Sequence, residues 1–324
     1  MIKKWLISFG RKELHRYRQQ KTEEKAGFKA ITPMQAYALE DKLTIEDKRH
    51  YCERKAYAQL KYFPNLDDPR SYNEKLIWLA LYYKNPVIAK CTDKFEFKEH
   101  LCERIGRKYC IPTIGVYDHV RDIDFAALPD RFVIKSTAGW GSKQVEIVKD
   151  KDSASIDKIK SRAAEWLYPW NTYYYNNLCT TDDKISPRII IEPDLSEEGE
   201  IKDYKIFCFN GKPTYLLVVS GRGGENYKKS FYDLNDFSLL PIRRNNVQSG
   251  EKISRSEEID EMIEISKRLS ADVPLVRIDF YIIGKKVLVG EMTFYPGMFL
   301  KFNPREWDYQ WGHLIDIGAV LNDK

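Results

Sequence analysis

Apolar positions recur at helical spacing up to about residue 106 and at strand spacing from Pro112 onward. In the first stretch Ser71 and Glu74 stand three apart, just ahead of Leu76, Ile77, Leu79, Ala80 and Tyr83. That is the spacing of a capping box in front of an amphipathic helix. A second helix is expected from Thr92 through DKFEFKEHLCERI, ending at Gly106, the residue type that most readily takes a left-handed cap.

Beyond Pro112, IPTIGVY, RFVIKS and QVEIVKD read as short strands, the last two separated by a loop that holds Gly139 and Gly141. A helix is expected over Ser155 to Leu167, broken by Pro169, and then a strand, RIIIE, at 188–192. DYKIFCFNGKPTYLLVVSG predicts a hairpin whose Asn210-Gly211 supplies the positive φ angles of a tight turn. KSFYDL is a further strand, and a helix over Ile259 to Leu269 precedes two strands around Gly284 in LVRIDFYIIGKKVLVGEMTFY. The class these elements define is α+β with antiparallel hairpins.

Composition narrows this little. At 324 residues the chain has room for two or three lobes, and 43% hydrophobic with 31% charged residues excludes disordered and fibrous classes. The longest apolar runs, such as Ile189 to Ile191 and Leu216 to Val219, fall far short of the ~20 residues that span a bilayer. The opening MIKKWLISFG starts like a signal peptide, but its apolar stretch is only Trp5 to Ile7, so a cytoplasmic protein is expected. Cysteines 52, 91, 102, 110, 179 and 208 form no CxxC pair and no metal-ligand spacing with histidine, and are read as reduced thiols. A net charge of +5, spread along the chain, argues against nucleic-acid binding. The basic excess is strongest in residues 1–29, where lysines and arginines alternate with Trp5, Leu6, Ile7 and Phe9. Such a segment suits either a helix lying on the anionic inner face of a membrane or a solvated helix packed on the body.

The last predicted hairpin carries the chemistry. Asp279 lies on its incoming strand and Glu291 on its return strand, with Arg277 two residues before Asp279 and therefore on the same face. Two carboxylates on neighbouring strands beside a guanidinium form either a magnesium and phosphate site or a cross-strand salt bridge. Upstream, Lys135 ends the apolar strand RFVI and leads into STAGWGSK, where glycines 139 and 141 let backbone N–H groups approach phosphate oxygens. That loop is neither GxxxxGK[ST] nor GxGxxG, and two glycines also suit a plain hairpin.

The order of these parts resembles the ATP-grasp superfamily, and within it the TupA-like branch, named for a protein of teichuronopeptide synthesis. The resemblance rests on DDPRSYNEKLIWLALYYKNP, TDKFEFKEHL, LPDRFVIKSTAGWGS, PRIIIEPDL, KDYKIFCFNGKP and VRIDFYIIGKKVLVGEMTFYPG followed by EWD. It implies an ATP-grasp fold, two α+β lobes enclosing the nucleotide behind a helical N-terminal region. The expected divisions are 1–106, 107–195 with the glycine loop, and 196–324 with the magnesium site. It further implies that Lys94 and Lys135 contact the nucleotide, that Gly139, Gly141 and Ser142 cover its phosphates, and that Glu192 and Leu195 meet adenine and ribose. Asp203 and Lys205 resemble the pair facing the phosphates and the reacting group. Asp279 and Glu291 match the magnesium ligands, and Arg277 the group that stabilises an acyl phosphate. Thr293 departs from the asparagine that many such enzymes carry two residues after the metal glutamate. The activity implied is an ADP-forming carboxylate–amine ligase using ATP and Mg2+, joining an amino acid or other amine to a carboxylated sugar in bacterial surface polysaccharide or capsule synthesis.

Three rivals remain in view. Asp122-Ile123-Asp124 has the acid-x-acid form of a glycosyltransferase that uses a nucleotide sugar, or it is a solvated turn. HVRD at 119–122 hints at a protein kinase, but the strand lysine follows it in the chain and DFG is lacking. The aromatic run of Trp166, Tyr168, Trp170 and Tyr173 to Tyr175 suits either sugar stacking or a core.

Overall fold

The computed structural model describes residues 43–139, 144–168, 185–198, 202–221, 227–244, 250, 252–299 and 301–318. The basic segment 1–29 and Trp170 with Tyr173 to Tyr175 lie outside these residues.

Helices come first. α1 (Ile45–Leu60) starts from a capping box of Thr44 and Asp47. α2 (Tyr72–Tyr82) starts from the expected box: the Glu74 N–H donates to Ser71 Oγ at 3.2 Å and the Ser71 N–H donates to Glu74 Oε2 at 2.9 Å. Glu74 also accepts from the backbone N–H groups of Asn65 and Arg70, so one buried carboxylate fastens the whole loop ahead of α2. α3 (Pro86–Thr92) leads into α4 (Lys94–Ile105), capped by Asp93 and ended by Gly106 at φ 98°.

Two antiparallel sheets carry the rest. The smaller contains β1 (Gly115–Tyr117), β2 (Phe132–Ser136), β3 (Val145–Val148) and β4 (Ile189–Pro193), in the order β1-β4-β2-β3. β1 is shorter than IPTIGVY predicts, and Pro112, lacking an N–H, stands outside the ladder. Alternation splits this sheet cleanly. Phe132, Ile134, Ile189 and Ile191 pack on α5 (Ile156–Trp166), whose Trp166 is core. Val133, Lys135, Ile190 and Glu192 take the other face by strand parity.

The larger sheet has the order β11-β10-β5-β6-β7-β8. Its strands are β5 (Asp203–Phe209), β6 (Lys212–Ser220), β7 (Lys228–Asp233), β8 (Leu239–Leu240), β10 (Leu275–Ile283) and β11 (Lys286–Thr293). Asn210 at φ 47° and Gly211 at φ 77° close the β5–β6 hairpin as expected. One face, with Ile206, Leu216, Val276 and Ile278, packs under α6 (Glu257–Ser270) and on Phe97, Leu101 and Ile105 of α4. The other face, with Phe207, Tyr215, Leu217 and Leu275, packs on Tyr72, Leu76 and Leu79 of α2 and on α7 (Glu306–His313). A two-stranded pair, β9 (Arg243–Arg244) with β12 (Phe302–Asn303), lies beside it.

The second core centres on Trp311, which is fully buried and packed against Tyr72, Phe207, Phe209, Tyr215, Phe231 and Phe302. α7 reaches the N-terminus of α2 so closely that a Cβ on Gly312 would stand 2.1 Å from the Arg70 carbonyl oxygen. Asp308 ties the two helices, accepting from Asn73 N at 3.0 Å, Asn73 Nδ2 at 2.9 Å and Tyr62 Oη at 3.0 Å. The EWD segment is thus a structural clasp. Cys102 Sγ and Cys110 Sγ are 3.2 Å apart, well beyond the ~2.05 Å of a disulfide, and all described cysteines are reduced. No helix among the described residues is long and apolar enough to cross a membrane.

Candidate active site

The large sheet brings Lys205, Asp279 and Glu291 into one row across β5, β10 and β11: Asp279 is the register partner of both Lys205 and Glu291. Glu291 reaches this row through an irregularity. From the turn at Gly284, strict pairing of Ile283 with Lys286 would set Asp279 opposite Gly290. A bulge between Asp279 and Phe280 inserts one residue, so Phe280 pairs with Val289 while Asp279 pairs with Glu291. Val287 and Val289 stay in the core under α6, and Glu291 turns to the opposite face.

Asp279 is buried and triply bonded. Arg277 Nε donates to Oδ1 at 2.5 Å, Arg277 Nη2 donates to Oδ2 at 2.8 Å, and Lys205 Nζ donates to Oδ2. Burial alone would raise the Asp279 pKa, but the charges of Arg277 and Lys205 outweigh it and hold the carboxyl below its ordinary value. Burial likewise works against the Arg277 charge, and the nearby Asp279 carboxylate reverses this, so the guanidinium pKa is raised. Arg277 Nη2 also donates to Thr293 Oγ1 at 3.1 Å, which makes Thr293 a partner of the guanidinium. Asp203, on the same face of β5, has Oδ1 3.9 Å from Lys205 Nζ.

The small sheet supplies the opposing charges. Glu192 is 3% exposed, and its two oxygens are shared by two ammonium groups: Lys135 Nζ at 2.6 Å from Oε2 and Lys98 Nζ at 2.6 Å from Oε1. Burial would raise the Glu192 pKa, and Lys135, then Lys98, bring it below the usual carboxylate range. Burial pushes the Lys98 ammonium down, against the pull of Glu192. Lys94 Nζ donates to the Gly139 carbonyl at 2.5 Å. Burial lowers its pKa too, while the charge of Glu291 opposes the shift and that of Lys135 reinforces it. Lys94 therefore lies within electrostatic reach of Glu291 on the large sheet and of Lys135 and Glu192 on the small one. α4 is the element that joins them.

Gly139 packs tightly, since a Cβ there would stand 3.0 Å from Gln144 Cβ. Gly141 and Ser142, with Trp140 and Lys143, lie outside the described residues. Leu195 opens a short 3-10 turn directly after β4 and is half-buried. Asp122 closes a short 3-10 helix (Val120–Asp122) and Asp124 accepts from the N–H groups of Ala126 and Ala127, both acids being exposed.

The donor set suits magnesium and polyphosphate. Three donors on Asp279 leave about one of the four lone-pair directions of a carboxylate, and Glu291 makes no hydrogen bond or ion pair among the described residues. One or two carboxylates are what magnesium commonly takes from protein, the rest being water and phosphate oxygen. Lys94, Lys135, Lys205 and Arg277 are the cations that could hold phosphate there. Lys98 is the member that sequence reasoning missed. Its signal was present: Lys94 and Lys98 are four apart on one helix and so share a face.

Basic side chains from both antiparallel sheets and from α4 thus accompany one carboxylate pair on a hairpin. The TupA-like ATPgrasp family matches residues 74–316, and the chain belongs to that family. It is on that ground an ATP-dependent ligase of the ATP-grasp fold. Solved structures similar to it include D-alanine–D-alanine ligase from Helicobacter pylori, at 15% identity and TM-score 0.43 over 76% of this chain and 69% of that one. D-alanine–D-alanine ligase from Bacillus anthracis complexed with ATP matches at 19% identity and TM-score 0.39, over 68% of this chain and 57% of that one. D-cycloserine synthetase DcsG matches at 15% identity and TM-score 0.40, over 93% of this chain and 84% of that one. No curated protein matches the chain.

Proposed function

We propose that the enzyme joins an amine to a carboxylate through an acyl phosphate, using magnesium ATP, with Asp279 and Glu291 as the metal ligands. The observation that carries this reading is the row Lys205–Asp279–Glu291 with Arg277 beside it, within electrostatic reach of Lys94. A carboxylate is a poor electrophile. When its oxygen attacks the γ-phosphorus, ADP leaves; when the amine attacks the acyl carbon, phosphate leaves and the nitrogen loses a proton. Bound magnesium would offset charge on the transferring phosphoryl group. Lys94, Lys135, Gly139, Gly141 and Ser142 hold phosphates, and Glu192 with Leu195 meets adenine and ribose. Lys205 and Asp203 orient the reacting group, and Arg277 stabilises the charge that develops on it. No cysteine or serine nucleophile is needed.

For the substrates, the resemblance to the branch named for teichuronopeptide synthesis supports a carboxylated sugar or polysaccharide precursor and an amino acid. A cytoplasmic enzyme whose basic residues 1–29 rest on the inner membrane face fits such lipid-linked material. Equilibrium binding of ATP and of UDP-sugars, with and without magnesium, to the wild type and Lys135→Ala tests the nucleotide reading. Magnesium-dependent ATP binding that weakens in the variant is expected, followed by ADP release when uronic acids and amino acids are supplied together. UDP-sugar binding without ATP binding would overturn it.

A further inference from the structure

We propose that Cys102 and Cys110 form a thiol-modification site, which a low-molecular-weight disulfide such as oxidised glutathione closes into a reversible cross-link between the end of α4 and the segment beside β11. The two residues are eight positions apart in the chain, and their Sγ atoms stand 3.2 Å from each other. Closure to the ~2.05 Å of a disulfide asks for about 1 Å of approach, which rotation of the two side chains can supply. Both thiols are half-buried, whereas Cys52, Cys91 and Cys208 are 0%, 3% and 0% exposed. An oxidant in solution therefore reaches this pair and not those three.

The surroundings set the order of the steps. Cys102 lies in the last turn of α4, and Cys110 follows the short 3-10 helix Arg107–Tyr109. Cys110 also bridges Val289 of β11, and its Sγ donates to the Lys98 carbonyl oxygen at 3.8 Å. Burial and the neighbouring Cys102 thiol push the Cys110 pKa up to about 12, against the charges of Lys98 and Arg107, so Cys102 is the thiol that attacks first. Its thiolate bonds to one sulfur of oxidised glutathione and expels the other half as a thiolate. Cys110 then loses its proton and attacks the Cys102 sulfur, and the second glutathione leaves. Two protein thiols are oxidised, and one glutathione disulfide is reduced to two thiols. The product fastens the helix that carries Lys94 and Lys98 to the segment lying along the strand of Glu291. It forms independently of the proposed nucleotide site.

Reduced full-length protein, freed of reductant and held in glutathione buffers of rising disulfide content, tests this by alkylation and peptide mass mapping. The wild type loses two hydrogens as a Cys102–Cys110 cross-link and recovers both thiols with dithiothreitol. The cross-linked form melts about 5 °C above the reduced one, because closing the short loop restricts the unfolded chain. Cys110→Ser cannot resolve the mixed disulfide and retains one glutathione on Cys102, while Cys102→Ser leaves Cys110 unmodified. Both variants lose the oxidant-dependent rise in melting temperature, and melts of their reduced forms establish that they fold. A wild type that keeps glutathione on Cys102, that pairs either thiol with Cys179, or that stays fully reduced in buffers that oxidise an exposed dithiol peptide would overturn the proposal.

Discussion

Asp279 and Glu291 face each other on adjacent strands, yet replacing each by its amide has different expected consequences. Asp279→Asn keeps the shape and removes the charge between Arg277 and Lys205, whose side chains are 20% and 8% exposed. Removing one partner from a buried ion cluster leaves uncompensated charge, which costs about 3–5 kcal/mol. Chemical denaturation of this variant therefore has its midpoint well below that of the wild type. Glu291 makes no hydrogen bond or ion pair among the described residues, so Glu291→Gln changes stability by less than about 1 kcal/mol. Its turnover, read as ADP release at saturating magnesium, falls by at least ~100-fold, the scale of one lost preorganised electrostatic partner. The dissociation of the two effects is the test. A Glu291→Gln enzyme with full turnover would refute the metal assignment, and an Asp279→Asn protein as stable as the wild type would refute the buried cluster.

Other outcomes follow from the same physics. Gly312→Ala sets a methyl 2.1 Å from the Arg70 carbonyl oxygen and 2.7 Å from Ser71 C, both backbone, so α7 must move and about 3 kcal/mol is lost; a thermal melt checks this. Glu192 and Asp279 have pKa values depressed in the folded state, so their stabilisation is present above the unfolded carboxylate values near 4 and is lost as pH falls through the folded ones. Denaturation midpoints measured over an acid series should drop below about pH 4, and less steeply in Glu192→Gln. Asp308 acts in the opposite sense: burial raises its pKa, so the folded state keeps a proton that the unfolded state has released, and its contribution weakens as pH rises through that window. Asp308→Asn removes this weakening, which comparison of its midpoints with wild type as pH rises above about 4 detects.

Local rules carried much of the fold. The Ser71–Glu74 box and the Asn210-Gly211 turn are each specified within a few residues and formed as expected. The helix α4 also stops at Gly106, but with φ 98° and ψ 154°, an extended positive-φ conformation in place of the expected left-handed cap, and it starts at Lys94 because Thr92 closes α3. The helix α5 and the strands β2, β3, β4 and β7 followed from hydrophobic period alone, because burying one face of a helix or strand requires that period. α7 was less legible. Its residues were read as part of a motif, and their role became visible only when Trp311 and Asp308 met α2 from more than two hundred residues away.

The candidate site divides along the same line. By its own pattern the sequence determined that Arg277 and Asp279 share a face and that Lys135 stands near the end of a strand before a glycine loop. Tertiary structure decided the rest. Strand parity counted from the turn leaves Glu291 with Val287 and Val289, and only the bulge turns it to Asp279. Glu192 acquired its two ammonium partners because α4 packs its apolar side on the large sheet while Lys94 and Lys98 face the small one. Periodicity is a property of neighbours in the chain, whereas an ion pair between a helix and a strand ninety residues later depends on which surfaces the buried apolar area brings together.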